Sequence, residues 1–195
     1  MFRPIRTVPP AIEVVTLTEA KLHARIDHSD DDALVETLIS AAHDHLDGWA
    51  GVLGRCMITQ EWRQDFEGWP ASRCLRLPFP DVTEVAVTYY DADDVVRTVA
   101  PDEYELVESP HGAVVRLKPT FASPSLTDRR LARVSVTMLA GYGPSPADVP
   151  KALHVAMFLM VAHWYEQREA VSRSTMSSVP HALDELIAPY RWRRI

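Results

Sequence analysis

A helix with no polar side is the strongest constraint in this sequence. Pro150 precedes K-A-L-H-V-A-M-F-L-M-V-A-H-W-Y-E (Lys151 to Glu166), in which Val155 to Ala162 are apolar without a break. An ordinary surface helix presents one apolar stripe to a core and a polar face to water. This helix offers water nothing along its middle, so cover must reach it from several directions. In a chain of 195 residues, part of that cover is expected from a neighbouring copy. The segment points to assembly more than to chemistry.

Other function classes are narrowed by composition. The apolar run is far short of the ~18 residues that span a bilayer, so no membrane partner is expected. The opening M-F-R-P-I-R-T-V-P-P-A has neither an apolar signal core nor a small-residue cleavage site, so no secretory signal is expected. The two cysteines, Cys56 and Cys74, read as incidental thiols of a reduced protein. A net charge of −7 argues against nucleic acid as the main partner, because duplex binding relies on Lys and Arg neutralising phosphates. The charge is also uneven. No Lys or Arg occurs from Ile26 to Gly54, where Asp27, Asp30, Asp31, Asp32, Glu36, Asp44 and Asp47 lie, whereas the chain ends in Arg191, Arg193 and Arg194.

Periodicity divides the chain into three parts. Residues 1–54 begin with a proline-rich extended arm. A short helix follows from Glu19 to about Ile26, capped by Thr18 and placing Leu22 and Ile26 on one face. A longer helix runs from about Asp31 to Ala50, capped by Ser29 or Asp30 and closed by Gly51 and Gly54. Its stripe is Leu34, Leu38, Ile39, Ala42, Leu46 and Trp49. Residues 55–143 alternate apolar and polar. Strands are expected at Met57–Phe66, Leu75–Leu77, Val82–Tyr90, Val95–Val99, Tyr104–Val107, Ala113–Leu117 and Ala132–Leu139, in an antiparallel meander or small barrel. Residues 144–195 hold the apolar helix, a Ser-rich loop from about Ser172 to Ser178 and a last helix from His181 to Ala188. The expected fold is α+β: a bundle of the N- and C-terminal helices with an inserted antiparallel β-sheet domain.

Reactive groups do not cluster. His43 and His45, two apart on a helix, point away from each other. His163 and Glu166 have the spacing of half a di-iron site, but the second half is missing. There is no G-x-S-x-G elbow, phosphate loop or G-x-G-x-x-G. The acidic cluster at the start of the second helix is solvated and lacks the burial that separates carboxylate pKa values. No metal, cofactor or enzyme activity is expected. The terminal Tyr190-Arg191-Trp192-Arg193-Arg194-Ile195 differs, because aromatics and arginines are the residues enriched at binding hot spots. It reads as a docking peptide.

A set of ordered motifs resembles the head–tail connector (adaptor) proteins of tailed phages. They are L-T-E-A-K-L-H-A-R-I-D (Leu17 to Asp27), D-D-D-A-L-V-E-T-L-I-S-A-A (Asp30 to Ala42), I-T-Q-E-W (Ile58 to Trp62), L-P-F-P-D-V (Leu77 to Val82), A-G-Y-G (Ala140 to Gly143), V-P-K-A-L (Val149 to Leu153), V-A-H-W-Y-E-Q-R-E-A-V (Val161 to Val171) and L-I-A-P-Y-R (Leu186 to Arg191). Proteins of this kind are encoded by phages, prophages and gene transfer agents.

The resemblance implies a non-enzymatic virion component, assembled in the bacterial cytoplasm, that forms a closed ring, typically dodecameric. Its neighbours would be the portal protein on one side and a stopper or tail-completion protein on the other, with DNA passing transiently through. On that analogy the residues Tyr190 to Ile195 dock the portal, and Met160, Trp164, Tyr165 and Arg168 lie at the subunit interface. Asp30, Asp31, Asp32 and Glu36 would line the DNA channel, where like charge keeps DNA from sticking. Short members of the family are nearly all helical, so the β part is this chain's departure from them. The competing readings are a minor tail or tail-completion protein and, in another class, a soluble monomeric ligand- or protein-binding module.

Overall fold

The computed structural model describes residues 2–109, 112–167 and 181–192. They fall into two compact units, one drawn from Met1–Pro10 and Thr59–Gly141, the other from Ala11–Ile58 and Tyr142–Arg193.

The second unit holds four helices. α1 (Leu17–Ala24) starts at Thr16, two residues before the expected cap, because Thr16 and Glu19 form a capping box. The Thr16 hydroxyl accepts from the Glu19 N–H at 3.3 Å, and the Glu19 carboxylate accepts from the Thr16 N–H at 2.9 Å. Those bonds to Thr16, backbone first, hold the Glu19 carboxyl below its ordinary pKa. α1 buries Ala20 and leaves Leu22 81% exposed, so Leu22 and Ile26 do not share a buried face.

α2 (Asp32–Leu46) buries Val35, Ile39, Ala42, His43 and Leu46. It stops short of Ala50 because Asp47 turns to extended backbone, and its carboxylate accepts the Met57 N–H at 2.6 Å. The loop then folds back through Gly48 and Gly54, both at positive φ where a side chain would be strained.

α3 (Lys151–Glu166) and α4 (His181–Ile187) complete the unit. Leu153, Ala156, Met157, Met160 and Val161 of α3 meet Leu183 and Ile187 of α4 and the α2 stripe in one core. Arg55 stacks on Tyr142, its guanidinium 5.2 Å from the ring centre, and donates to the phenol oxygen at 2.6 Å. The Ser-rich loop expected at Ser172 to Ser178 lies outside the described residues.

The first unit is built of antiparallel strands. β1 (Ile5–Val8), β2 (Gln60–Phe66), β4 (Val82–Tyr90), β5 (Val96–Thr98) and β8 (Val134–Ala140) form a sheet in the order β1-β2-β8-β4-β5. β3 (Cys74–Arg76), β6 (Tyr104–Ser109) and β7 (Gly112–Leu117) form a second, ordered β3-β7-β6. Alternation does the folding here: Trp62, Val134, Val136 and Met138 turn inward, while Glu61, Arg63, Ser135, Thr137 and Leu139 stay partly exposed. The Trp62 ring lies 4.9 Å from Phe79, and the Tyr104 hydroxyl on β6 donates to the Val85 carbonyl on β4 at 3.1 Å. The arm is anchored by Gln64, fully buried, whose amide donates to the Phe2 carbonyl at 2.7 Å.

These elements correct the expected fold. The class is α+β, but the protein is not a helical bundle carrying an inserted sheet domain. Eight strands stand against four short helices among the described residues, which makes the protein rich in sheet. The sheet is not a single insertion either, because β1 comes from the N-terminal arm, ahead of every helix. The arm's prolines hid that strand: Pro4 and Pro9 flank it, as they can on an edge strand where the outer N–H groups need no partner.

Met160 is only 4% exposed, so Met160→Asp should place an unpaired charge in the helical core. Urea unfolding should show a loss of roughly 3 kcal/mol or more. Wild-type stability in that variant would mean the core does not close around α3.

Candidate protein-docking surfaces

α3 is less enclosed than its sequence suggests. Its inner side is buried, but Val155 is 41% exposed and Phe158, Leu159 and Ala162 are half-buried. Lys151, Val155, Leu159, Ala162 and Glu166 follow one another at steps of four, four, three and four, so they form one stripe. The two charged residues of α3, Lys151 and Glu166, stand at the ends of this stripe and mark its solvent side. Between them the solvent side is apolar. That spacing was the available signal for Val155 and Leu159, hidden by the unbroken apolar run around them.

The residues expected at a subunit interface are placed differently. Met160 faces the unit's own core. Trp164 and Tyr165 are half-buried against that core, Trp164 edge-on to His45 at 6.4 Å. The Tyr165 hydroxyl donates to the Asp31 carboxylate at 2.6 Å, which ties the end of α3 to the start of α2. Arg168 lies outside the described residues.

The acidic set splits into two pairs. Asp31 sits at the N-cap of α2 but makes no side-chain cap bond, and its carboxylate serves Tyr165 instead. Asp32 is paired with Lys21. Asp30 and Glu36 are exposed and have no polar partner among the described residues, as is true of Asp27 and Asp44.

The C-terminal residues turn back on the helical unit as far as they are described. Tyr190 packs on the core, Arg191 donates to Asp184 at 2.6 Å, and the Trp192 N–H donates to the Leu53 carbonyl at 2.6 Å. The receiving loop, Asp47 to Met57, was read from sequence only as a helix end. Arg193, Arg194 and Ile195 lie outside the described residues.

Reactive groups are scattered. His43 is buried on α2 while His45 is exposed, and His163 is half-buried beside exposed Glu166. Among the described residues no group of three or more His, Cys, Asp or Glu side chains could hold a metal. No described helix is long and apolar enough to cross a membrane. Cys56 and Cys74 are free thiols.

Among the described residues the notable features are exposed faces, with no cluster of side chains that could hold a metal. The chain matches the head completion protein family over residues 13–191, and it belongs to that family. No curated protein matches it. Its fold is that of a chain in the neck of an empty gene transfer agent particle computed with C6 symmetry, at 22% identity and a TM-score of 0.78 over 100% of this chain and 97% of that one. A chain from the virion of a native gene transfer agent particle is equally similar, at 22% identity and a TM-score of 0.79 over the same shares. A third, from the neck of a native particle computed with C12 symmetry, gives 21% identity and a TM-score of 0.64 over 97% of each chain. At these identities the likeness establishes a shared architecture.

Proposed function

We propose that this chain is a structural head–tail connector of a phage or phage-like particle, placed at the junction between portal and tail. The observation that carries this reading is the family match across residues 13–191, which spans the helical and the sheet units. The gene transfer agent neck chains support it, since their architecture covers the whole of this chain. The function is joining, without an enzymatic step or a cofactor. Its partners are further copies of itself in a closed ring, the portal protein, and a stopper or tail-completion protein.

Three regions take part in this reading. The apolar solvent side of α3 belongs to the contact between copies. Asp30, with Asp27, faces the channel, where its negative charge repels the passing phosphates; Asp31 and Asp32 are already engaged by Tyr165 and Lys21. The C-terminal Arg193, Arg194 and Ile195 dock the portal. Arg191 and Trp192, which precede them, are held by Asp184 and Leu53.

Producing cells that lack this chain should accumulate heads and tails that are not joined, as seen by electron microscopy. Complete particles at the normal yield would refute the connector role. Removal of Arg193 to Ile195 should leave the melting temperature unchanged and abolish co-purification with the portal; retained co-purification would remove the tail from that contact. Asp27→Lys with Asp30→Lys should leave particles assembled but cut DNA delivery at least tenfold. Normal delivery would place these acids away from the channel.

A further inference from the structure

β4 carries a hazard that the rest of the sheet unit answers. Its stretch Val85–Tyr90, V-A-V-T-Y-Y, has no charge, proline or glycine and is β-branched or aromatic everywhere except Ala86. Such a segment on an open sheet edge pairs readily with another chain. β4 comes close to being that edge. It has nine residues and β5 has three, so β5 covers Thr88, Tyr89 and Tyr90 only. Val82 to Val87 have no strand on that side among the described residues. The Val99 N–H adds one bond to the Val87 carbonyl, at 2.9 Å, before the chain turns away. It then passes through the 3₁₀ turn Pro101–Glu103 and enters β6, in the other sheet.

Side chains of β6 close the uncovered length. Tyr104, Leu106 and Glu108 alternate with Glu105 and Val107, so they share one face of their strand. The Tyr104 hydroxyl donates to the Val85 carbonyl at 3.1 Å and accepts the Val87 N–H. On a strand edge, the carbonyl of one residue and the N–H two positions on point the same way, and an incoming strand takes both. Here one phenol oxygen takes both. Further along, the Glu108 carboxylate accepts the Val82 N–H and lies close enough to Asp81 for the two to repel. Desolvation, and then Asp81, hold the Glu108 carboxyl above its ordinary pKa. The opposite edge of the sheet is protected differently, because β1 lies between Pro4 and Pro9.

We propose that Tyr104 and Glu108 form an edge guard, holding the β4 backbone groups that a strand of a second copy would otherwise pair with. The guard keeps free chains from joining through β4, so that association is left to other surfaces. A hydroxyl bridging two backbone groups serves this end better than an apolar cover, since it satisfies the groups that make an edge adhesive. The acidic pair at Val82 adds charge where a neighbouring strand would have to enter. This inference stands apart from the connector reading, because it concerns the chain before any partner is met.

The test uses the purified full chain carrying Tyr104→Phe and Glu108→Ala, compared with wild type at equal concentration. Amide exchange at Val87 should quicken about tenfold or more at low concentration. Light scattering at high concentration should show the variant larger than wild type. Adding Ala86→Lys, which puts a charge on an exposed position of β4, should return it to the wild-type size. Melting within a few degrees of wild type is expected, since the phenol ring stays in place. A variant that keeps the wild-type size would overturn the proposal, as would wild-type exchange at Val87. Growth in size that Ala86→Lys leaves unchanged would overturn it equally, by placing the association away from β4.

Discussion

Everything in the helical unit follows from the need to keep α3 out of water. Its residues between Lys151 and Glu166 carry no Asp, Glu, Lys or Arg, so the helix cannot be stable alone in solution, and its burial organises the rest. α2 and α4 cover one side with Val35, Ile39, Leu46, Leu183 and Ile187. Tyr165 fastens the far end to Asp31, and the His154 ring reaches the Pro146 carbonyl at 2.9 Å near the start. Among the described residues the Val155 stripe stays partly exposed.

The same constraint explains why charge sits where it does. Asp31 and Asp32 fall at the positive end of α2, where the helix dipole favours anions, and each is then held by a specific partner. Asp30, Glu36 and Asp44 are exposed and have no polar partner among the described residues. Similarly, Arg191 is paired with Asp184, while Arg193 and Arg194 lie outside the described residues.

Much of this was legible in the residues, and the failures have physical causes. Strands with strict alternation, such as Val82 to Tyr90, were visible because one face is wet, and α3 was bounded by Pro150 and its apolar run. The Thr16 cap was misread as Thr18 although T-L-T-E carries the capping-box spacing, since two threonines compete there and only the geometry chooses. β1 was invisible because its partner, β2, lies more than fifty residues away, and prolines around it suppress a strand reading. The end of α2 was missed because Asp47, a buried side-chain acceptor for Met57, stops the helix before either expected glycine. Surface partners of side chains were the least legible. Nothing local tells that Asp31 meets Tyr165 across 134 residues, or that Met160 faces inward while Val155 does not.

The resemblance to head–tail connectors and the family membership agree on a protein that works through its faces. The measurement that bears on it most directly is a reconstruction of the intact particle at a resolution that traces side chains. Such a map should show copies of this chain in a closed ring between head and tail, with α3 shielded from solvent all round. A map with no copy at that junction, or with the Val155 stripe open to water in every copy, would contradict it.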